Sequence, residues 1–590
     1  MVRIPGFRRT RDHAATEAPV DNLANDEKTD PMTDAAAVNS GSDHDLPTED
    51  AQRGVQDVEA VTLTWSKKSL VLVFALMFLL YFVNAFQSTI LGNLAPFVTS
   101  EWESHSLLNV IYIVSSAMTA AMFIPLAKIL DLWGRAEGFA CMTLFATLGL
   151  IMMATCRSLA VFCAAQVFYS MGFMGVTYCI DVITADVSKL KNRGLAYAFT
   201  SSPYMITAFA GSKASEDFYV KISWRWGFGI FAIILPVVAA PLFILLKVKL
   251  RQAKKQGLLV REKSGRTAIE SIHFYMVEFD AAGVFLFASG LTIFLLPFTL
   301  AATAPNGWKT GYIIAMIVLG FVLLGAFGFW EVHGASRPFL RYDMLVNRTV
   351  LGACLLAATY QISYYCWATY FTSFLQVVMD VGVAEAGYIN NTFNVVSGFL
   401  LFIVGYSIHK TGYFKWLLYI AVPLYIFSQG LMIHFRRPNQ SVGYLIMCEV
   451  FISIGGSIFI IVQQLAVLAA VDHQHVAAAL ALVYVVGTTG GAIGYTISGS
   501  IWSNTFRKAL LMYLPSADLA SVDDIVGSLE VQLSYAVGTD SRRAIQRAYA
   551  YGQTRMLAAG TGIMVLAIIW VLLIKNINVA KIQQTRGVVF

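Results

Sequence analysis

From Ser69 onward the chain is a succession of about fourteen apolar runs, each near the roughly 20 residues that a helix needs to cross a hydrocarbon core. They fall near 69–98, 107–127, 138–155, 160–186, 193–213, 225–247 and 279–300, then near 311–331, 350–377, 386–407, 415–434, 443–469, 475–505 and 555–575. Of the 590 residues, 57% are hydrophobic and only 13% charged, which is outside the range of soluble globular domains. The expected fold class is an all-α polytopic membrane protein. If one of the weaker runs is re-entrant, the count drops to thirteen or twelve.

The same pattern narrows the chemistry. Cys141, Cys156, Cys163, Cys179, Cys354, Cys366 and Cys448 all lie inside apolar runs and read as small core residues, not as a disulfide framework or a metal cluster. There is no C-x-x-C pair, no Walker loop and no H-E-x-x-H, so hydrolytic and redox chemistry lack their usual groups. The chain does not read as an enzyme, no metal site or resident cofactor is expected, and nothing points to nucleic acid.

Residues 1–65 are polar, first basic and then acid-rich, and read as a disordered tail with a role in trafficking or turnover. The tail has no h-region, so the first spanning helix is expected to direct insertion. An even number of spans returns both termini to one side. Lys67, Lys68, Lys128, Arg135, Lys189, Lys191, Arg193 and the cluster from Lys247 to Arg266 fall in alternate loops, which places those loops and both termini in the cytoplasm by the positive-inside rule. Arg436 and Arg437 break the pattern.

Between the second and third runs stands FIPLAKILDLWGRAEG, from Phe123 to Gly138. Asp131 can accept hydrogen bonds from a helix end, Gly134 lets the chain reverse, and Arg135 can pair with an acid across the turn. The stretch resembles the G-x-x-x-D-x-x-G-R-[KR] loop of the major facilitator superfamily, with Ala127, Ala136 and Glu137 departing from it. The resemblance implies two six-helix bundles about a midplane site. On that plan 66–247 is the N-terminal bundle, 248–278 a basic cytoplasmic loop, and 279–349 an extra hairpin with its connector. The C-terminal bundle is 350–581, with 505–554 as a long extracellular loop, and 582–590 is a cytoplasmic tail. The long loop, with helical patterning, reads as a packed cap or a binding element.

Polar residues in spanning helices are costly unless they face a cavity or a partner. Asn84, Gln87 and Ser88 share one face of the first helix. Tyr360, Tyr364 and Trp367 form a stripe on the ninth, beside Gln361 and Tyr365; phenols and indoles suit a large, polar, uncharged ligand, although such rings also form interface belts. Tyr178, Tyr204, Gln463 and Gln464 complete the expected substrate-binding set. Asp181, without Lys or Arg within a helical turn, is the leading candidate to carry a proton, against a purely structural hydrogen bond; Glu449 is the second. Asp186 is expected to pair with Arg135, and with Asp131, Gly134 and Arg193 forms the gating set. Gly487 with Gly491, and Gly490 with Gly494, form overlapping pairs expected to permit close packing and rocking of the thirteenth helix.

The joint DVSKLKNRGLAYAFTSSPYMITAFAG from Asp186 to Gly211, the turn KILDLWGRAEG, and the segment RAYAYGQTRM from Arg547 to Met556 resemble the fungal siderophore-iron transporters, and most of all their MirB-type triacetylfusarinine C carriers. The resemblance covers about Trp65 to Lys581. It implies proton-coupled import of a ferric siderophore at the plasma membrane, with endosomal vesicles as a further location. Iron enters only as part of the cargo, protons and lipid are the other partners, and a monomer is expected. A fourteen-helix drug:proton antiporter is the alternative, but such exporters carry Gly-Pro and then Gly-Gly in the fifth helix, where this chain has Ser202-Pro203 and no Gly-Gly. A non-transporting receptor with the same fold is the third reading. Asn390 and Asn439 open sequons close to the membrane.

Overall fold

The computed structural model describes residues 52–259, 267–338, 342–582 and 589–590, and among these there are helices and turns but no strands. A short helix, α1 (Arg53–Leu63), precedes the first half. That half comprises α2 (Lys67–Ser100), α3 (Leu108–Leu132), α4 (Arg135–Thr155), α5 (Leu159–Asp186), α6 (Arg193–Ser201), α7 (Pro203–Asp217) and α8 (Trp224–Lys255). Next come α9 (Ala268–Glu278) and a hairpin of α10 (Ala281–Leu300) and α11 (Gly311–His333), then the short α12 (Tyr342–Val346). The second half begins with α13 (Arg348–Ala368), α14 (Phe371–Val378), α15 (Val383–Asn390), α16 (Thr392–Thr411) and α17 (Lys415–Phe435). It continues with α18 (Val442–Leu468), α19 (Val476–Tyr513), α20 (Val522–Gly527), α21 (Leu529–Ser534), α22 (Asp540–Met564) and α23 (Ala567–Leu573).

Local chemistry sets several boundaries. Ser66 and Ser69 form a reciprocal capping box at the start of α2. Ser158 accepts from the Val161 amide to open α5, and Asn347 from the Thr349 amide to open α13. Gly134 has φ +118°, where a side chain would be strained, and lets α3 turn directly into α4.

Among the described residues, twelve helices are long and apolar enough to cross a membrane, with α15–α16 and α22–α23 each counting once. The runs near 193–213 and 350–377 fall outside that set, so a count of fourteen is not established. The first is interrupted at Ser202 before Pro203 and carries Lys213, Glu216 and Asp217. The second, α13, spends its length on Thr359, Tyr360, Gln361, Ser363, Tyr364 and Tyr365. Apolarity falls where helices carry polar side chains inward.

The halves meet along two seams. In one, α3 lies along α19; in the other, α6 and α7 lie along α16, with α15 against α7. At the second seam a Cβ on Gly405 would sit 2.9 Å from the backbone of Gly194 and Leu195, so only glycine admits this approach.

Two expected boundaries need correction. The disordered tail does not extend to residue 65: α1 packs on α3 and α8, burying Val55, Asp57 and Ala60, while residues 1–51 lie outside the described residues. Apolar burial drives this, with Trp65 also buried beneath the Lys249 ammonium. The 505–554 segment is mostly helix, because α19 continues to Tyr513 and α22 starts at Asp540. The remaining connection is tied down on both halves: the Leu529 amide donates to Ser100 Oγ (3.0 Å), and Arg542 Nη1 to the Gln532 carbonyl (2.6 Å). Tyr219 donates to Glu530 at 2.6 Å; burial first, then Glu530, pushes this phenol above its ordinary range and keeps it a donor.

Gly54 is the contact on which α1 rests, since a Cβ there would lie 2.4 Å from the Leu130 carbonyl oxygen. Gly54→Leu is expected to lift α1 and to cost about 1–3 kcal/mol, as overpacking does. Limited proteolysis of purified protein should then cut near 53–63 several-fold faster; an unchanged rate would show that α1 does not depend on this contact.

Candidate functional site

A two-lobed cavity lies between the halves. The first lobe, about 250 Å³, is bounded by Ser88 and Asn93 of α2, Tyr204 of α7, Tyr364 and Tyr365 of α13, and Asn390, Asn391 and Asn394 at the α15–α16 joint. The second, about 190 Å³, is bounded by Ser115, Ser116 and Thr119 of α3, Gln166, Tyr169 and Ser170 of α5, Gln361 of α13 and Thr488 of α19. Ser88, Tyr112, Tyr365 and Tyr495 border both. Among the described residues, no charged side chain lines either lobe. The walls offer hydroxyls, amides and phenol faces instead.

Of the residues expected to bind substrate, Ser88, Tyr204, Gln361, Tyr364 and Tyr365 line this cavity. Others are turned into the protein. Asn84 donates to Thr177 (3.2 Å), Gln87 and Gln463 are buried, and Tyr360 packs between Tyr425 and Phe459. Trp367 is buried against Tyr364 and Phe371. Tyr178 donates to the Ala477 carbonyl at 2.6 Å, tying α5 to α19 across the halves. Sequence reasoning missed Tyr112, Tyr495, Gln166 and the asparagines, of which Asn390 was noted only as a sequon. Three amides within five residues at a helix joint were a usable signal.

Asp181 sits behind the cavity wall, buried, and accepts three hydrogen bonds. Tyr81 donates at 2.9 Å, Tyr484 at 2.5 Å and Gln464 at 3.1 Å. Tyr81 belongs to the first half, Tyr484 and Gln464 to the second, so one carboxylate holds both halves. The Tyr81 ring also meets Tyr204, a cavity residue, edge-on at 6.3 Å.

Further along the same end of the bundle, Arg135 pairs with Asp131 and with Asp186, each at 2.9 Å, and donates to the Leu130 carbonyl at 2.9 Å. All three ionic groups are buried. Arg193, also buried, donates to the carbonyls of Ala185 (2.9 Å) and Ser188 (3.2 Å), closing the end of α5. His409 and Asn192 join the halves nearby at 2.8 Å.

Glu449 is buried in α18, away from the cavity lining. Arg436, which breaks the charge pattern of the loops, is not exposed: its guanidinium is fully buried 4.1 Å over the Phe371 ring, beside Trp367 and Phe374. A weakly hydrated, planar cation can rest on aromatic faces where an ammonium would not.

Of the expected packing glycines, Gly490, Gly491 and Gly494 make close approaches and Gly487 does not. A Cβ on Gly487 would make only ordinary contact, whereas one on Gly490 would lie 2.5 Å from the Ala358 carbonyl oxygen, and one on Gly491 3.2 Å from the Tyr365 ring. Gly490 therefore sets how closely α19 approaches α13, and Gly491 seats a cavity tyrosine.

Removing the cation from the buried triad strands two carboxylates, so Arg135→Met is expected to cost about 3–5 kcal/mol. Thermal unfolding in detergent would show it as a lower Tm, partly restored when Asp186→Asn is added. Equal Tm values for wild type and Arg135→Met would refute a structural role for the triad.

The Major Facilitator Superfamily model matches residues 77–495. Over 552 residues, covering 93% of this chain and 91% of the relative, the sequence is 59% identical to the siderophore iron transporter mirB of Emericella nidulans. It is 56% identical over 559 residues, 94% of this chain and 92% of the relative, to MFS siderochrome iron transporter 1 of Gibberella zeae. Among solved structures it is similar in fold to a bacterial homolog of the human lysosomal transporter Spinster, inward-facing and unoccupied, with TM-score 0.51 and 16% identity over 86% of this chain and 98% of that one. A peptide transporter POT in complex with sulfate matches with TM-score 0.50 and 14% identity, over 88% and 99% of the two chains. The chain belongs to the siderophore iron transporter family of the major facilitator superfamily.

Proposed function

We propose that the protein imports ferric hydroxamate siderophores across the plasma membrane by proton symport, with ferric triacetylfusarinine C as the leading cargo, and works as a monomer with both termini in the cytoplasm. The observation that carries this is the uncharged lining of the cavity. A ferric trihydroxamate is bulky, nearly neutral and ringed with carbonyl oxygens. Serine and tyrosine hydroxyls and the amides of Asn93, Asn390, Asn391, Asn394, Gln166 and Gln361 can donate to those oxygens, while the Tyr204, Tyr364 and Tyr365 rings cover its apolar arms. The relatives named as siderophore iron transporters support the same cargo class. Iron stays inside its chelator, so the protein needs no ligand set of its own.

A neutral cargo gains nothing from membrane voltage, and uphill import requires a coupled ion. One proton moving through 100 mV supplies about 2.3 kcal/mol. Asp181 is placed to use it. As a carboxylate it accepts from Tyr81, Tyr484 and Gln464 together. Protonated, it becomes a donor with weaker acceptor oxygens, and three converging donors no longer suit it. The bonds from Tyr484 and Gln464, which hold the halves together at the Arg135 end, weaken first in function because they are the ones that cross. Cargo touching Tyr204 reaches the same site through Tyr81. Glu449, buried in α18 outside the cavity lining, is the secondary candidate for a proton.

Uptake of radiolabelled ferric triacetylfusarinine C, measured in yeast lacking its own carriers, tests this. Wild type should import it, and a protonophore should abolish accumulation. Asp181→Asn should cut accumulation at least about tenfold at equal surface amount, as expected for loss of a group that changes protonation. Protonophore-insensitive uptake would overturn the coupling, and no uptake of any siderophore by correctly placed protein would overturn the function.

A further inference from the structure

The two lobes are separated by three stacked tyrosines. Tyr112 of α3 lies 5.0 Å from Tyr495 of α19, with 25° between the ring planes, and Tyr495 lies 4.3 Å from Tyr365 of α13 at 30°. All three are half-buried, and all three border both lobes. Each lobe alone is smaller than the roughly 300–1,000 Å³ usual for a pocket that encloses a drug-sized ligand. Joined, the lobes of about 250 and 190 Å³ come within that range.

We propose that the Tyr112–Tyr495–Tyr365 stack is a movable partition that sets the size of cargo the cavity accepts, an inference that rests on the siderophore-import reading. The joint that opens is the one between Tyr112 and Tyr495. Tyr495 and Tyr365 belong to a single packed unit, because Gly490 and Gly494 bring the α19 backbone against the carbonyls of Ala358 and Ile362, and Gly491 leaves room for the Tyr365 ring. Tyr112 comes from the other half of the molecule, across the α3–α19 seam. Stacked rings have no backbone hydrogen bond to break and slide over each other as the halves rock. Bulky cargo must separate them further than compact cargo, so the partition penalises size.

The test compares initial uptake of two neutral ferric trihydroxamates of different bulk, ferrichrome and ferric triacetylfusarinine C, in the same cells and normalised to surface protein. The readout is the ratio of Vmax/KM for the larger cargo to that for the smaller. Tyr112→Ala should raise this ratio by about tenfold, a change typical of reshaping a pocket. Tyr495→Ala should move it in the same direction and covers the case in which Tyr112→Ala does not reach the membrane. Tyr112→Phe, which keeps the ring, should leave the ratio at the wild-type value. A ratio that stays constant or falls in both alanine variants overturns the partition, and so does Tyr112→Phe behaving like Tyr112→Ala, which would assign the effect to the hydroxyl. Wild type that imports neither chelate defeats the import reading and the partition with it, whereas wild type that imports both while the ratio does not move defeats the partition alone.

Discussion

A carboxylate inside a helix bundle is tolerated only while donors surround it, and Asp181 meets that requirement by recruiting them from both halves of the molecule. Two of its three donors, Tyr484 and Gln464, stand on helices of the second half, so part of the contact between the halves at this end rests on a single buried carboxyl group. The Tyr178 bond to Ala477, the His409 bond to Asn192 and the close approach of Gly405 to Gly194 add contacts around it.

The Arg135 triad works differently although it lies close by. Asp131, Arg135 and Asp186 all belong to α3, α4 and α5 of one half. Its one cation serves both carboxylates, and neither ion pair crosses a seam. It fixes the turn between α3 and α4 and the end of α5, and thus the platform from which Asp181 reaches across. Two acidic side chains five residues apart on one helix, Asp181 and Asp186, consequently take separate tasks, because one faces its own half and the other faces the seam.

The two arrangements were largely legible in the sequence. Asp131 and Arg135 flank a glycine turn at i and i+4, and Asp181 is an acid without a cation near it along the helix, which is enough to separate a paired acid from one that needs donors. The face of α13 was not legible. Tyr360, Tyr364 and Trp367 form one regular stripe, and Gln361, Tyr365 and Ala368 form the next. Periodicity identifies a stripe but not the neighbour it meets. The structure turns the second stripe toward the cavity, together with Tyr364, and gives Tyr360 and Trp367 to the packing against Tyr425 and Arg436. Arg436 could not be placed for the same reason: as a loop residue it is an exception to a charge rule, whereas buried on three aromatic rings it belongs to a core.

The extra hairpin follows from the exposure of the α3–α19 seam. Along that seam Ile113, Ala117 and Ala492 cluster with Leu291 and Leu295 of α10. Polar groups also come to the seam: Asn109 and Thr299 are both buried where Gly499 lets α10, α3 and α19 converge. Left facing lipid, such groups would carry a desolvation cost with no compensation. α10 covers them, while α11, buried over only 11% of its most apolar window, presents its outer face to the hydrocarbon. Lys128, just before the α3–α4 turn, donates to the Glu278 carbonyl at 2.6 Å and anchors the hairpin to the first half. The cover is thus fixed on one side of the seam and only packed on the other.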